Sequence, residues 1–287
     1  MYSYLQLLRP HQYVKNILLF LPAFFAFRID ELSIIIDTTI LFVAFCFIAS
    51  SVYIMNDYID REDDRKHPEK KDRPLAAGTV QPKMAFILMG FLLLAGFGST
   101  FYVSVNSFYL ILFYFSLNIA YTFKIKHIAI LDILVLALGF VLRLYIGAGA
   151  GDIYVSMWIT LMIFLGALFL GLAKRRTDVK LAMEGNRTRR AIDGYNLEFI
   201  NGAMIIMAAV VIVAYISYTS SPDIIKKYRN DYLYCTVIFV IAGILRYMQI
   251  TFVEERSGNP SKILLKDLFL QLTILGWLAT FVVLIYL

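Results

Sequence analysis

Long apolar runs dominate this chain, separated by short polar segments. Nine runs are long enough to read as membrane spans: about 13–28, 34–55, 83–103, 106–123, 128–148, 154–173, 199–219, 231–250 and 264–286. A helix rises ~1.5 Å per residue, so roughly 20 apolar residues cross the ~30 Å of hydrocarbon in a bilayer. The pattern predicts an all-α, polytopic membrane protein of about nine transmembrane helices. The first run is the weakest. Its apolar stretch Ile17 to Phe27 is short and holds Pro22, so a tilted or re-entrant segment is the alternative to a full crossing. Ala23 to Phe27 offers no small-x-small cleavage site, which argues against a cleaved signal.

Composition agrees: 60% of the 287 residues are hydrophobic and only 17% are charged. The basic residues set the orientation. With the N-terminus inside, the inner segments carry 22 of the 27 Lys and Arg, while the outer side holds only Arg28, Lys226, Lys227 and Arg229; Arg143 lies within a span. The positive-inside rule thus predicts N-in, C-out and an odd number of spans in the cell membrane. The net charge of +6 reads either as topology plus anionic lipid at the inner leaflet or as a pocket for an anionic substrate. Nucleic acid is not expected, because the basic residues sit in short loops between spans. Cys46 and Cys235 lie in apolar runs without metal or redox spacing and read as packing residues.

No linker or soluble domain interrupts the chain, so 1–287 is expected to be one integral-membrane domain. The long inner segments are 56–82, 174–198 and 251–266, whereas the outer connections at 104–106 and 149–153 are minimal. Polar chemistry concentrated on one side argues against a transporter, which needs access from both. The second and sixth spans each run into a long charged inner segment, which hints at two similar lobes facing a central cavity.

The chemistry is carried by four clusters. Asn56, Asp57, Asp60 and Asp64 follow directly on an apolar run and fall within one helical arc of about 100°. Three carboxylates and an amide facing one point repel one another unless a cation lies between them, and oxygen-only ligands suit Mg²⁺. A metal held this way at a membrane surface points to a phosphate or diphosphate as its other ligand. Lys70 and Arg73, further along the same loop, can reach phosphate oxygens. In the second cluster Lys174, Arg175 and Asp178 share a face and Arg176 points away, leaving a positive surplus suited to a second phosphorylated substrate. The third cluster places Arg9, Gln12 and Asn16 at i, i+3 and i+7 with Lys15 beside them. It can bind phosphate or sugar hydroxyls, or act as an interfacial anchor with Tyr13. The fourth is Asn118, Tyr121, Thr122, Lys124 and Lys126; the amide of Asn118, a turn inside a span, needs a partner. Arg143, mid-span with Asp132 on the same helix, is either a site residue or a structural pair with a carboxylate or backbone carbonyl.

These motifs resemble the UbiA superfamily of intramembrane prenyltransferases. The resemblance rests on Asn56-Asp57-x-x-Asp60-x-x-x-Asp64, on His67-Pro68 and Arg73-Pro74-Leu75-Ala76-Ala77-Gly78, and on Asn118 to Lys124, and it covers nearly the whole chain. Most members carry a second D-x-x-x-D pair after the sixth span. Here Asp178 is present, but Ala182 stands four residues on. That departure resembles the decaprenyl-phosphate phosphoribosyltransferase branch. So do Arg9-Pro10-x-Gln12-Tyr13-x-Lys15-Asn16, Gly258-Asn259-Pro260 and Leu264-Leu265-x-Asp267, although Leu268 stands where the branch tends to have Arg.

The resemblance implies transfer of 5-phosphoribose from phosphoribosyl diphosphate (PRPP) to a polyprenyl phosphate of decaprenyl type, with Mg²⁺, for cell-envelope glycan precursors, and an active site facing the cytoplasm. Asp57 and Asp60, with Asn56 and Asp64, would hold the metal, and Lys174 and Arg175 would join the acids as catalytic groups. Arg9, Gln12, Lys15, Asn16, Lys70, Arg73, Asn118, Tyr121, Lys124, Arg143 and Asp178 would bind substrate. The lipid phosphate is already anionic, so His67 is given no role as a base. Homo-oligomerisation is left open. One rival is a prenyltransferase of the same fold, moving an isoprenyl group from a prenyl diphosphate to an aromatic or other acceptor; the other is a non-enzymatic carrier of polyprenyl lipids.

Overall fold

The computed structural model describes residues 2–65, 70–184, 190–256, 258 and 260–286, so His67, Pro68 and Asn259 lie outside the described residues. Every regular element among them is helical. The chain divides into two compact units, Met1–Val155 and Ser156–Leu287. Unit 1 holds α1 (Tyr2–Leu8), a 3-10 segment Pro10–Phe20, α2 (Leu21–Phe25), α3 (Leu32–Ile59), α4 (Arg61–Arg65), α5 (Pro82–Val103), α6 (Val105–Phe123), a 3-10 turn Ile125–His127 and α7 (Leu131–Ala148). Unit 2 holds α8 (Met157–Met183), a 3-10 turn Arg190–Gly194, α9 (Leu197–Thr219), α10 (Pro222–Tyr228), a 3-10 turn Leu233–Thr236, α11 (Val237–Phe252), α12 (Pro260–Lys266) and α13 (Leu268–Tyr286).

Eight helices among the described residues are long and apolar enough to cross a membrane, and they coincide with the last eight expected spans. A count of nine regular transmembrane helices is not confirmed, because the first expected span is built differently. The run 13–28 falls in the 3-10 segment and α2, which together cover only Pro10 to Phe25. A 3-10 helix rises ~2 Å per residue, so these residues still cover about 30 Å. Their ends agree with that reach. Arg9 bonds Asp57 at one end of α3, while Arg28 bonds Glu31 (2.6 Å) and the Gly151 carbonyl (2.8 Å) at the other. The two ends of this segment thus meet opposite ends of α3.

The core of unit 1 is set by α3. Leu41, Phe45, Ile48 and Ala49 pack against Leu19, Ile111, Tyr114, Leu142 and Ile146. Lipid gives no hydrophobic drive between helices, so close approach and polar contacts hold them together. Gly147 supplies the close approach: a Cβ there would lie 2.0 Å from the Leu19 carbonyl oxygen, so only glycine lets the 3-10 segment lie on α7. Polar contacts tie the same segment to α3. Tyr13 and Ser50 hydroxyls lie 2.8 Å apart, and Asn16 donates to the Cys46 sulfur at 3.2 Å. Phe91 and Leu94 on α5 stay exposed, as lipid-facing residues do. In unit 2, Trp277 of α13 donates to the Tyr215 hydroxyl of α9 at 2.7 Å and stacks on Phe281.

Two helices exceed the length a crossing needs: α3 has 28 residues and α8 has 27. Their extra turns carry Asn56 to Ile59 and Lys174 to Met183 past the apolar stretch, which places both charged clusters at helix ends.

Candidate active site

In unit 1 the acidic stripe is met by basic groups from three separate segments. Asp57 is 2% exposed, and its Oδ1 accepts from Arg9 Nη2 at 2.5 Å and Arg73 Nη1 at 3.1 Å. The same Arg73 nitrogen reaches Asp64 Oδ2 at 2.7 Å. Asp60 instead accepts from Lys126 Nζ at 2.5 Å, and Asn56 Oδ1 accepts from the Thr122 hydroxyl. The stripe therefore sorts into two pairs. Asn56 and Asp60, one turn apart, face Thr122 and Lys126 at the same spacing, while Asp57 and Asp64 converge on Arg73. The break arises at the helix junction, where α3 ends at Ile59, Asp60 caps it and α4 starts afresh at Arg61.

Local structure explains how the bases arrive. Arg9 sits in the left-handed region (φ 52°, ψ 56°) immediately before Pro10, whose ring disfavours helical backbone in the residue preceding it. This turn aims the guanidinium at Asp57 and over the Tyr53 ring, 5.1 Å from its centroid. Arg73 comes from the loop after α4, which closes through Arg65 Nε donating to the Ala76 carbonyl at 3.0 Å and turns at Gly78 with φ 72°, a conformation glycine adopts without strain. Lys126 belongs to the 3-10 turn between α6 and α7, which rotates it inward (8% exposed) and leaves Lys124 on the surface.

The other expected residues distribute as follows. Asn16 is buried, and its amide oxygen accepts from Arg143 Nε at 3.0 Å. Arg143 also donates to the Gly139 carbonyl at 2.7 Å and lies over the rings of Phe45, Tyr114 and Phe140. It is thus a structural clamp between α7 and the 3-10 segment, holding the strand of chain that presents Arg9. Asn118 donates to the Tyr114 carbonyl on its own helix at 2.8 Å. Tyr121 is buried, Gln12 and Lys15 are half-buried on the 3-10 segment, and Lys70 is half-buried at the start of the loop that carries Arg73.

Unit 2 carries the basic face. Arg175 is 1% exposed and pairs with Asp178 one turn on, as the helical spacing predicts; Lys174 is half-buried beside it. Arg176 points elsewhere, donating to Asn201 Oδ1 at 3.0 Å and the Thr251 carbonyl at 2.7 Å. Below it, Arg246 joins Asp267 (2.6 Å) and Glu254 (2.7 Å), while Lys180 pairs with Glu255. The Arg246 hydrogen bond holds the Asp267 carboxyl below the usual carboxylate range. A cavity of about 370 Å³ lies nearby, lined by Ile250, Arg256, Lys262, Ile263, Lys266 and Asp267.

The sequence reading missed Lys126 and Thr122 as partners of the stripe. The available signal was the repeated i, i+4 spacing in Asn56/Asp60 and Thr122/Lys126. As a metal site the donors are of the right kind, three carboxylates and an amide oxygen, which suit a hard cation. Among the described residues no three acidic groups are gathered as they would be around an ion, because each carboxylate of the stripe is held by a base.

The comparisons with known proteins converge. The decaprenyl-phosphate phosphoribosyltransferase of Mycolicibacterium smegmatis is 33% identical, with 97% of this chain and 91% of that one covered. Its counterpart from Corynebacterium glutamicum is also 33% identical, over 97% and 85%. Among solved structures, a UbiA homolog from Archaeoglobus fulgidus bound to DMAPP and Mg²⁺ superposes with a TM-score of 0.72 at 19% identity, covering 96% of this chain and 98% of that one. The same homolog bound to GPP and Mg²⁺ gives 0.73 at 20% identity, over 99% and 100%. At such identity these two structures bear on fold alone. The family model for the UbiA prenyltransferase family matches residues 18–269, which takes in the whole acidic stripe, its bases on α6–α7 and the basic face of α8. With eight apolar helices of crossing length, a helical fold shared with UbiA homologs and a family match over most of its length, the chain is an integral membrane protein that belongs to the UbiA prenyltransferase family.

Proposed function

We propose that this protein is a polyprenyl-phosphate phosphoribosyltransferase, moving 5-phosphoribose from PRPP to a decaprenyl-type phosphate with release of diphosphate. The reading assigns the activity to residues 1–287 as one transferase domain, sets the site at the cytoplasmic face of the cell membrane, and places the product upstream of a cell-envelope glycan. The single observation that carries it is the likeness to relatives named for that activity, 33% identical over nine-tenths of both chains.

The residues suit the chemistry. The C1–O bond to diphosphate breaks and a bond from a lipid phosphate oxygen to C1 forms. The acceptor, with a second pKa near 6, is already anionic at neutral pH, so no general base is needed. Asn56, Asp57, Asp60 and Asp64 would hold Mg²⁺, which neutralises the departing diphosphate when bound. Arg9, Arg73 and Lys126, beside the acids, are assigned to phosphate oxygens as charge develops there. Gln12, Lys15, Asn16, Lys70, Asn118, Tyr121, Lys124 and Arg143 remain assigned to substrate on the N-terminal segment, the inner loops and the helices beside them. In unit 2, Lys174 and Arg175, oriented by Asp178, are assigned to a phosphate. Positive charge on the ribose ring resembles that of other glycosyl transfers, and direct attack gives inversion at C1.

The test supplies labelled PRPP and polyprenyl phosphate, or a labelled prenyl diphosphate and an aromatic acceptor, to the purified protein with Mg²⁺. Ribosylated lipid from the first pair supports the reading. Product only from the second pair would replace it with the prenyltransferase reading.

A further inference from the structure

The carboxylates of the stripe and the bases that hold them differ in freedom. Asp57 and Asp64 have side chains 3% and 4% exposed, fixed at the end of α3 and in α4, whereas Arg9 and Arg73 above them are 22% and 27% exposed. The second pair is reversed: the Lys126 side chain is 10% exposed and Asp60 is 32% exposed. Asp57 Oδ1 already serves two guanidinium groups. A divalent ion would approach the same oxygens and would be repelled by both.

Resting on the metal-dependent transferase reading, we infer that Arg9 and Arg73 act as counter-ions that exchange with the metal: they keep the carboxylates from binding a divalent ion by itself and release them when a diphosphate offers the guanidinium groups another anion. A guanidinium forks onto phosphate as readily as onto carboxylate, so the exchange keeps both arginines paired. Lys126 stays in place, and Asp60, the exposed partner, turns. Metal and diphosphate then enter as a coupled pair, and by linkage each raises the affinity for the other by the same factor. The arrangement favours a metal that arrives with the diphosphate of the sugar donor over one held permanently.

The experiment measures manganese retained with the full-length protein on ultrafiltration, with and without inorganic pyrophosphate; free manganese and its pyrophosphate complex pass the filter, so only protein-bound metal is counted, and affinities are referred to free manganese after allowing for its chelation by pyrophosphate. Wild-type protein is expected to retain manganese weakly alone and about tenfold more tightly with pyrophosphate, within the usual range of coupling. The double variant R9Q/R73Q is expected to bind manganese alone about as tightly as wild type does with pyrophosphate. R9K/R73K, which keeps the charge, stays weak alone, and Lys71→Gln, an exposed charge in the same loop, changes nothing. Tight retention by wild type alone, unaltered in R9Q/R73Q, overturns the exchange and leaves the metal site standing, as does a K71Q or R9K/R73K variant that mimics R9Q/R73Q. No retention under any condition, in wild type as in Asp57→Asn, overturns the metal reading as well.

Discussion

The end of α3 and the end of α8 are built on the same plan with opposite charge. Each helix runs past its apolar stretch and closes with an ion pair, but the buried member differs. At α3 the acid is sealed, Asp57 at 3% against 22% for Arg9; at α8 the base is sealed, Arg175 at 1% against 18% for Asp178. A buried ion is fixed by its surroundings, while its exposed partner can be displaced by a ligand of like charge. At Asp57 the α3 end is thus a fixed anion with displaceable cations, suited to a metal, while its Asp60–Lys126 pair is the reverse. The α8 end is a fixed cation with a displaceable anion, suited to a phosphate.

The largest effect is expected from removing the fixed member at α3. Asp57→Asn should cut turnover by on the order of 10²–10³-fold, as loss of one preorganised electrostatic group does elsewhere, while the protein stays folded in the membrane. Labelled PRPP with chromatographic and circular-dichroism checks on folding measures both. Near-normal turnover in D57N would remove the acid end from the chemistry.

The mirror experiment is next in size. Arg175→Gln should raise the KM for the lipid phosphate roughly tenfold, about 1.4 kcal/mol, and Asp178→Asn should do less. Arg175→Lys should not restore wild-type behaviour fully, because an ammonium lacks the planar fork. If D178N proved worse than R175Q, the assignment of the fixed charge at α8 would be inverted.

A third prediction separates the two ends through the backbone. Gly147→Ala places a methyl group against the Leu19 carbonyl. Overpacking of this kind costs about 1–3 kcal/mol and would shift the 3-10 segment that presents Arg9. The expected result is a lower unfolding midpoint and a raised KM for PRPP. An unchanged midpoint would mean that the 3-10 segment does not lie on α7 as described.

What the sequence made legible follows from what is local. The eight regular crossings could be read because apolar runs report lipid exposure directly. The acidic stripe and the Arg175–Asp178 pair were visible because helical spacing is a local rule. The first run, 13–28, was read as the weakest, but its 3-10 geometry was not, and neither was its close approach to Gly147, over a hundred residues away. Arg73, in the loop that follows, was legible, but the two distant bases that meet the stripe were hidden for the same reason: Arg9 lies 48 residues from Asp57, and Lys126 lies 66 from Asp60. The motif drew attention to Lys124, yet the short 3-10 turn after α6 swings Lys126 inward instead. Arg143 was left between two roles, and its contact with Asn16, 127 residues away, is one that no local pattern could show.

The smallest effect concerns pH and extends the comparison to the pair beneath the α8 end. Asp267 accepts from Arg246, which lowers its pKa from the ordinary 3.8. The folded value therefore lies below the unfolded one, so the pair contributes its full stability above the unfolded value and loses it as the pH falls through the folded one. At neutral pH Asp267→Asn should cost less than about 1 kcal/mol, the range for partly exposed pairs, and the difference from wild type should close only below pH 3.8. Unfolding midpoints of both proteins across the acid range test this. A difference that closed near neutrality would assign the loss to another group, because a depressed carboxylate remains charged throughout that range.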